Sequence, residues 1–216
     1  MDTARMARVL MKSTNNGTLT LVTKHHNDFF PVSQKIDFCL TTEGEILIYL
    51  DNLEIKNRGI KEYNRAGLHV DQGLEAVEIM GRLVVLPETD LRKNRMASQF
   101  FKVHKDLEKF SEVSNYAFYI LKNDFARYFS DPQHFESLSY EGIKCDPPIS
   151  PIELSHVARE FSEHHIAMID GDGYFSENEN EEVIFHAFEK TLTSIDEVHH
   201  EMSGLFSKEN FEQVIL

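Results

Sequence analysis

Cysteine is almost absent: Cys39 and Cys145 are the only two in 216 residues. That excludes a disulfide framework and a cysteine-rich zinc site, and the two thiols read as inert side chains rather than a redox pair. No apolar run approaches the ~20 residues that a membrane-spanning helix needs, so no span is expected. The stretch from Met1 to Lys12 lacks the apolar core of a signal peptide, which leads to the expectation of a cytoplasmic protein. Basic residues are also in deficit, 22 Lys plus Arg against 36 Asp plus Glu, a net charge of −14. This balance argues against nonspecific binding to nucleic acid or to anionic lipid. No His-Glu-x-x-His pattern, glycine-rich phosphate loop, Ser-His-Asp set or paired-carboxylate signature stands out. There is no internal repeat and no low-complexity tract.

With 41% hydrophobic residues, the chain can bury a substantial core. The charge is unevenly placed. From Pro151 onward there are 15 Asp plus Glu against 3 Lys plus Arg, so most of the net charge lies in that last stretch. The change of character falls near Cys145-Asp-Pro-Pro-Ile-Ser-Pro151 and predicts two segments, 1–145 and 146–216.

The first segment reads mainly as strands. Thr3 to Lys12 has helical spacing, with Met6, Val9 and Leu10 on one face. Thr18 to Thr23 alternates strictly, His25 to Asp28 is a hairpin turn, and Phe29 to Leu40 is a second strand. Ile46 to Leu50 is a β-branched and aromatic run that suits a strand buried on both faces. The period then changes: Leu53, Ile60 and Tyr63 fall on helical spacing, with Lys56, Arg58 and Lys61 between them and Asp51 or Asn52 as cap. Ala66 to Val70 returns to strand. Leu74 to Leu86 is a long strand with Gly81 where a bulge is plausible. Leu91 to Phe110 is a basic, then aromatic, helical stretch. Ser114 to Leu121 and Phe125 to Phe129 predict two further strands. A short basic helix between strands sets cations and amides beside a sheet, which suits an anionic ligand.

The order of strand, helix bearing Lys56-Asn57-Arg58, and strand resembles the pyridoxamine-phosphate-oxidase-like FMN-binding split barrel, and within it the haem-utilisation branch. The opening helix followed by Gly17-Thr18-Leu19 matches that pattern as well. The resemblance covers roughly the first 130 residues. It implies a six-stranded antiparallel split β-barrel with peripheral helices, followed by an acidic, mainly helical C-terminal segment. It also implies a homodimer with ligand clefts between subunits, and haem, or alternatively FMN, as the bound small molecule. Lys56, Asn57 and Arg58, helped by Gln34 or Lys35, would hold propionates or a flavin phosphate. The chain departs from the family at Asp51 (usually Ser), Lys56 (usually His) and Gly59 (usually Asn). Where the haem-binding branch has an acid before an aromatic, it has Asn115-Tyr116, and an amide cannot carry a proton as an acid does. The Gly-Phe-Gly that often follows the last strand is replaced by Ser130-Asp-Pro-Gln-His134.

In the second segment, Ser150-Pro151-Ile152-Glu153 is a helix start with cap, proline and glutamate in place. Asp170-Gly-Asp-Gly173 reads as a solvated turn. An EF-hand register would put Met168 at the first ligand position, which speaks against calcium. Val183 to Phe188 suits strand or helix, with Leu192, Ile195, Val198, Met202 and Leu205 favouring helix, and Ser207 would cap a last short turn. Six of the 11 histidines lie here. The resemblance implies a C-terminal histidine as axial iron ligand, and His164 or His165 is the favoured candidate. Phe100, Phe101 and Phe110 wall a porphyrin slot in the functional reading and are core or dimer interface in the plainer one. Three functions stay open: haem binding with or without degradation, an FMN-dependent oxidoreductase, and a non-catalytic relative that binds a protein, as plant relatives bind glutamyl-tRNA reductase.

Overall fold

The computed structural model describes residues 2–25, 28–51, 64–111, 115–139, 143 and 149–212. The chain divides into two compact units, Met1–Cys145 and Asp146–Leu216. Among the described residues, no helix is long and apolar enough to cross a membrane. The expected basic helix with Lys56, Asn57 and Arg58 lies outside the described residues, as do Cys145 and the tip of the first hairpin.

In the first unit, helix α1 (Thr3–Thr14) begins where the Asp2 carboxylate accepts the Ala4 amide at 3.1 Å. It ends at Asn15, whose left-handed backbone (φ 56°) turns its amide onto the Met11 carbonyl. The helix buries Ala7, Leu10 and Met11, while Met6 and Val9 are only half-buried. Seven strands follow: β1 (Asn16–His25), β2 (Asp28–Leu40), β3 (Ile46–Asp51), β4 (Arg65–Gln72), β5 (Glu75–Val85), β6 (Tyr116–Asp131) and β7 (His134–Leu138). They lie in the order β3-β2-β1-β4-β5-β6-β7, and β3 also pairs with β6, so six antiparallel strands close into a ring and β7 extends from it.

Strand alternation sends Leu19, Phe38, Ile48, Leu68 and Ile79 to the inside of the ring, where they are fully buried. Truncating one such side chain to alanine costs about 2–5 kcal/mol, a large share of the roughly 5–15 kcal/mol that a domain has in total. The two strands expected over 114–121 and 125–129 are one strand, β6. The polar run Lys122-Asn123-Asp124 looks like a turn but is absorbed as a bulge. Met80 pairs with Phe125 and Gly81 with Asn123, so Asp124 is the extra residue. Glycine is required opposite the bulge, because a Cβ on Gly81 would stand 1.9 Å from the Lys122 carbonyl oxygen.

Outside the ring, helix α2 (Lys93–Val103) covers a second cluster of Cys39, Leu47, Tyr49, Phe118 and Ile120 with Met96 and Phe100. Gln99 ties it down: its carbonyl accepts the Thr42 amide and its NH₂ donates to the Thr42 hydroxyl, both at 2.9 Å.

The second unit is framed by two helices, α3 (Pro151–Glu160) and α4 (Ile195–Glu212). The capping box of Ser150 and Glu153 is formed, with Pro151 in the first turn. Between the helices lies a three-stranded antiparallel sheet, β8 (Ile166–Ile169), β9 (Gly173–Glu177) and β10 (Val183–Ala187), in the order β10-β9-β8. The apolar spacing did not reveal this sheet: Val183 to Ala187, which leaned towards helix, is a strand paired with β9. Ser207 lies inside α4 and donates to the Ser203 carbonyl. The Asp170-Gly-Asp-Gly173 turn is buried rather than solvated. The Asp170 carboxylate accepts the amides of Asp172 (2.8 Å) and Gly173 (3.2 Å), and Asp172 accepts the Thr191 hydroxyl (2.8 Å). These carboxylates hold the β8–β9 hairpin.

The two barrel glycines on β4 and β5 give a direct test of the bulge. Gly81→Ala should lower stability by about 2–3 kcal/mol, the scale of core overpacking, read as a lower urea midpoint. Gly67→Ala, whose new Cβ would meet nothing nearer than 3.8 Å, should leave the midpoint close to that of the parent. Equal midpoints for both variants would contradict the close approach at Gly81.

Candidate functional site

The outer face of the ring has two halves. One lies under α2. The other, formed by β1, β4, β5 and β6, holds an open groove of about 540 Å³, within the ~300–1,000 Å³ of small-molecule sites. The pairing register fixes what lines it. One row across the sheet runs Thr20, Gly67, Met80, Phe125, and the next runs Thr18, His69, Glu78, Arg127, of which His69 and Glu78 line the groove. Cross-strand partners share a face, so these side chains project together. Gly67 leaves the sheet backbone bare at the floor of the groove, because only the Ile79 carbonyl lies within 4 Å of where its Cβ would be. Met80 is 46% exposed beside it. Phe125 lies under the Arg127 guanidinium at 4.9 Å, which also stacks over Phe135 at 4.7 Å.

Charge is arranged around this apolar floor. At one end Arg65 and Arg82 share the bulge residue Asp124, at 2.8 and 3.3 Å, so two cations meet one anion. Further along, the His69 imidazole has Glu78 Oε1 3.7 Å from Nδ1 and Asp71 Oδ1 3.7 Å from Nε2. Both contacts are longer than hydrogen bonds. The site therefore offers a flat apolar surface, one nitrogen donor and a cationic rim, a combination suited to a planar ligand with acidic substituents.

Of the residues marked in the sequence, Lys35 joins this face. It pairs with Thr18, which pairs with His69. Gln34 pairs with the core residue Leu19 and belongs to the inner face. Asp51 ends β3 opposite Tyr116, and burial, then the Asp51 carboxylate, raise the pKa of the Tyr119 hydroxyl. The aromatic slot is filled: Phe100, on α2, is fully buried, and Tyr49 stands edge-on to Phe101 and donates to the Phe110 carbonyl at 2.9 Å. Tyr116, next to Asn115, stacks on Phe110. In the second unit, the His164 ring lies flat on Phe206, centroids 4.1 Å apart. His165 is exposed, and its left-handed backbone (φ 56°) leads into β8. Among the described residues, no group of three or more His, Cys, Asp or Glu is placed to hold a metal ion by itself.

His69 was not singled out in the sequence. The signal was there in the alternation of Arg65 to Gln72: Ala66, Leu68 and Val70 point inward, so Arg65, Gly67 and His69 share the outer face. The signal is quiet, because the other walls of the groove come from strands far away in sequence.

No family model matches the chain, and none of the curated proteins matches it in sequence. Solved structures do share its fold. Atu2129 of Agrobacterium tumefaciens, a protein of unknown function, is 11% identical with a TM-score of 0.72, over 94% of this chain and 94% of that one. The heme binding protein of Mycobacterium smegmatis is 14% identical with a TM-score of 0.59, over 96% of this chain and 97% of that one. Campylobacter jejuni ChuZ is 15% identical with a TM-score of 0.50, over 60% and 56%. At such identities the likeness is one of fold: the chain has a split-barrel fold.

The second-unit imidazoles generate a pH prediction. His186 stacks on Tyr174 at 4.8 Å, with Nε2 2.9 Å from the Ser176 hydroxyl, and burial lowers its pKa. The unfolded chain therefore takes up this proton first as pH falls below about 6.5, and stability declines from there down to the native pKa. Above that window both states are neutral at this site and nothing is lost. Replacing the imidazole, as in His186→Phe, should flatten the fall in denaturant midpoint between about pH 7 and pH 5. Parallel curves for parent and variant would exclude His186 as the source.

Proposed function

We propose that this chain is a haem-binding split-barrel protein that holds its ligand on the open face of the barrel. The observation that carries the reading is the likeness to the Mycobacterium smegmatis heme binding protein, which extends over 96% of this chain and 97% of that one. The groove supports it. Its donor set fits haem: an imidazole for iron, the apolar Met80 and Phe125 beside a bare Gly67 floor, and Arg65, Arg82 and Lys35 for propionates. The sequence resemblance adds Lys56 and Arg58 as further propionate partners. Bound haem would supply a redox-active iron. The residues of the chain bind and orient the ring and keep water from one of its faces.

Asn115 directs the reading towards holding haem rather than opening its ring. An amide at that position neither delivers nor accepts a proton. A homodimer completes the proposal. Met80 at 46% and Phe135 at 51% exposure leave apolar surface on the open face, which a second copy would cover along with the exposed face of the ligand.

The test is a titration of the apo-protein with haemin and, in parallel, with FMN. A Soret band that saturates near one haem per chain is expected, with no perturbation of the flavin's visible spectrum. Light scattering should show two chains per particle. Saturable FMN binding without a haemin response would replace haem by flavin in this site, and no response to either would remove the cofactor reading.

A further inference from the structure

We infer that His69, on β4, is the iron ligand of this site, and that Glu78 is the residue that positions it. The inference rests on the haem-binding reading and departs from the expectation that a histidine of the second unit meets the iron. Three observations carry it. His69 is the one imidazole among the residues lining the groove. It lies two residues along β4 from Gly67, about 7 Å away, on the same face as the bare floor where a flat ring has room. Neither of its ring nitrogens is engaged in a hydrogen bond, since both nearest carboxylate oxygens are 3.7 Å away.

The two carboxylates are not equivalent. Glu78 is the cross-strand partner of His69, and its side chain is 34% exposed against 57% for Asp71. A shift of less than about 1 Å would turn the Nδ1 contact with Glu78 into a hydrogen bond of ordinary length. Nδ1–H would then donate to Glu78, fixing the tautomer with Nε2 as the lone-pair donor and raising its strength, as a carboxylate does behind a metal-bound imidazole. Asp71, the more exposed of the two, turns to water when Nε2 is taken. Both carboxylates also offset the positive charge of ferric haem.

Four other histidines already have work. His104 Nε2 meets the Phe38 carbonyl at 2.8 Å, His134 is bound to Asp131 at 2.8 Å, and His199 meets Glu160 at 3.0 Å. His164 is stacked flat on Phe206. Recruiting any of these breaks a hydrogen bond or a ring stack, whereas His69 gives up only the longer 3.7 Å contact of Nε2 with Asp71.

The experiment is haemin titration of the full chain as parent, His69→Ala, His164→Ala, Glu78→Gln and Gly67→Leu, following affinity and the ferric and ferrous spectra. His69→Ala should weaken binding by at least about tenfold and lose the parent's ligand-field bands, and free imidazole added to that variant should restore them. A merely structural role for His69 would not give that rescue. Glu78→Gln should keep the ligand but shift the spectrum and the iron reduction potential. Gly67→Leu fills the floor with His69 intact, and its Cβ would meet nothing nearer than the Ile79 carbonyl oxygen at 3.8 Å, so the variant should fold and fail to bind.

If the parent binds haemin and His69→Ala gives the parent's spectrum, or if the spectrum is lost in His164→Ala alone, His69 is not the ligand while the haem reading stands. Parental binding by Gly67→Leu would likewise overturn this groove as the place. A parent chain without any Soret response would end both the inference and the reading beneath it.

Discussion

One strand, β6, satisfies the hydrogen-bonding groups of three others, and the barrel depends on it. Along one edge it pairs with β5 from Tyr119 to Phe129. Along the other it serves β3 from Tyr116 to Leu121 and then β7 from Ala126 to Asp131. Buried amides and carbonyls must find partners, and closing the ring gives each of its six members a neighbour on both sides over at least part of its length. Closure requires β6 to change direction where its two neighbours part. The bulge at Asp124 makes that change, and Gly81 lets the backbones approach closely enough for it.

The same accommodation shapes the groove. The extra residue puts Asp124 and Phe125 at the rim, where Asp124 gathers Arg65 and Arg82 and Phe125 forms part of the wall. The two halves of the outer face then differ by what covers them. Under α2, Tyr49 and Phe118 pack against Phe100 of the helix, Phe118 edge to face, and the Gln99 amide satisfies Thr42. Over β4 and β5, Met80 is 46% exposed, and a Cβ on Gly67 would meet only the Ile79 carbonyl oxygen. An aromatic cluster that looks like a ligand slot in the sequence is therefore packing, and a plain strand with one glycine and one histidine carries the open surface. A chain of net charge −14 still presents Arg65, Arg82 and Lys35 on this face, because its acidic excess lies mostly after Pro151.

Much of the fold is legible in the sequence because its signals are local. The alternation of Thr18 to Thr23 and of Phe29 to Leu40 gives the first hairpin, Ile46 to Leu50 the doubly buried strand, and Ser150-Pro151-Ile152-Glu153 the start of α3. Gly81 marked a bulge without revealing its partner, since Lys122-Asn123-Asp124 resembles a turn when the strand opposite is unseen. The second sheet escaped for a related reason: Val183 and Phe185 alternate over only five residues, too few to outweigh the helical spacing that follows. The groove was the least visible feature. Its residues come from β1, β4, β5 and β6 and are joined only by register, so no spacing along the chain announces them. Lys35 shares the outer face with Thr18 and His69 because it is odd-numbered on a strand whose even positions, Gln34 among them, turn inward.

Ring closure also sets a timetable for the nascent chain. The β1–β2 and β4–β5 hairpins can pair as soon as they leave the ribosome, but β3 waits for its second neighbour until about 70 residues later, a delay of several seconds at ordinary elongation rates. For that interval Ile46 to Leu50 is a bare apolar edge, and it is the part of the molecule most in need of shelter during synthesis.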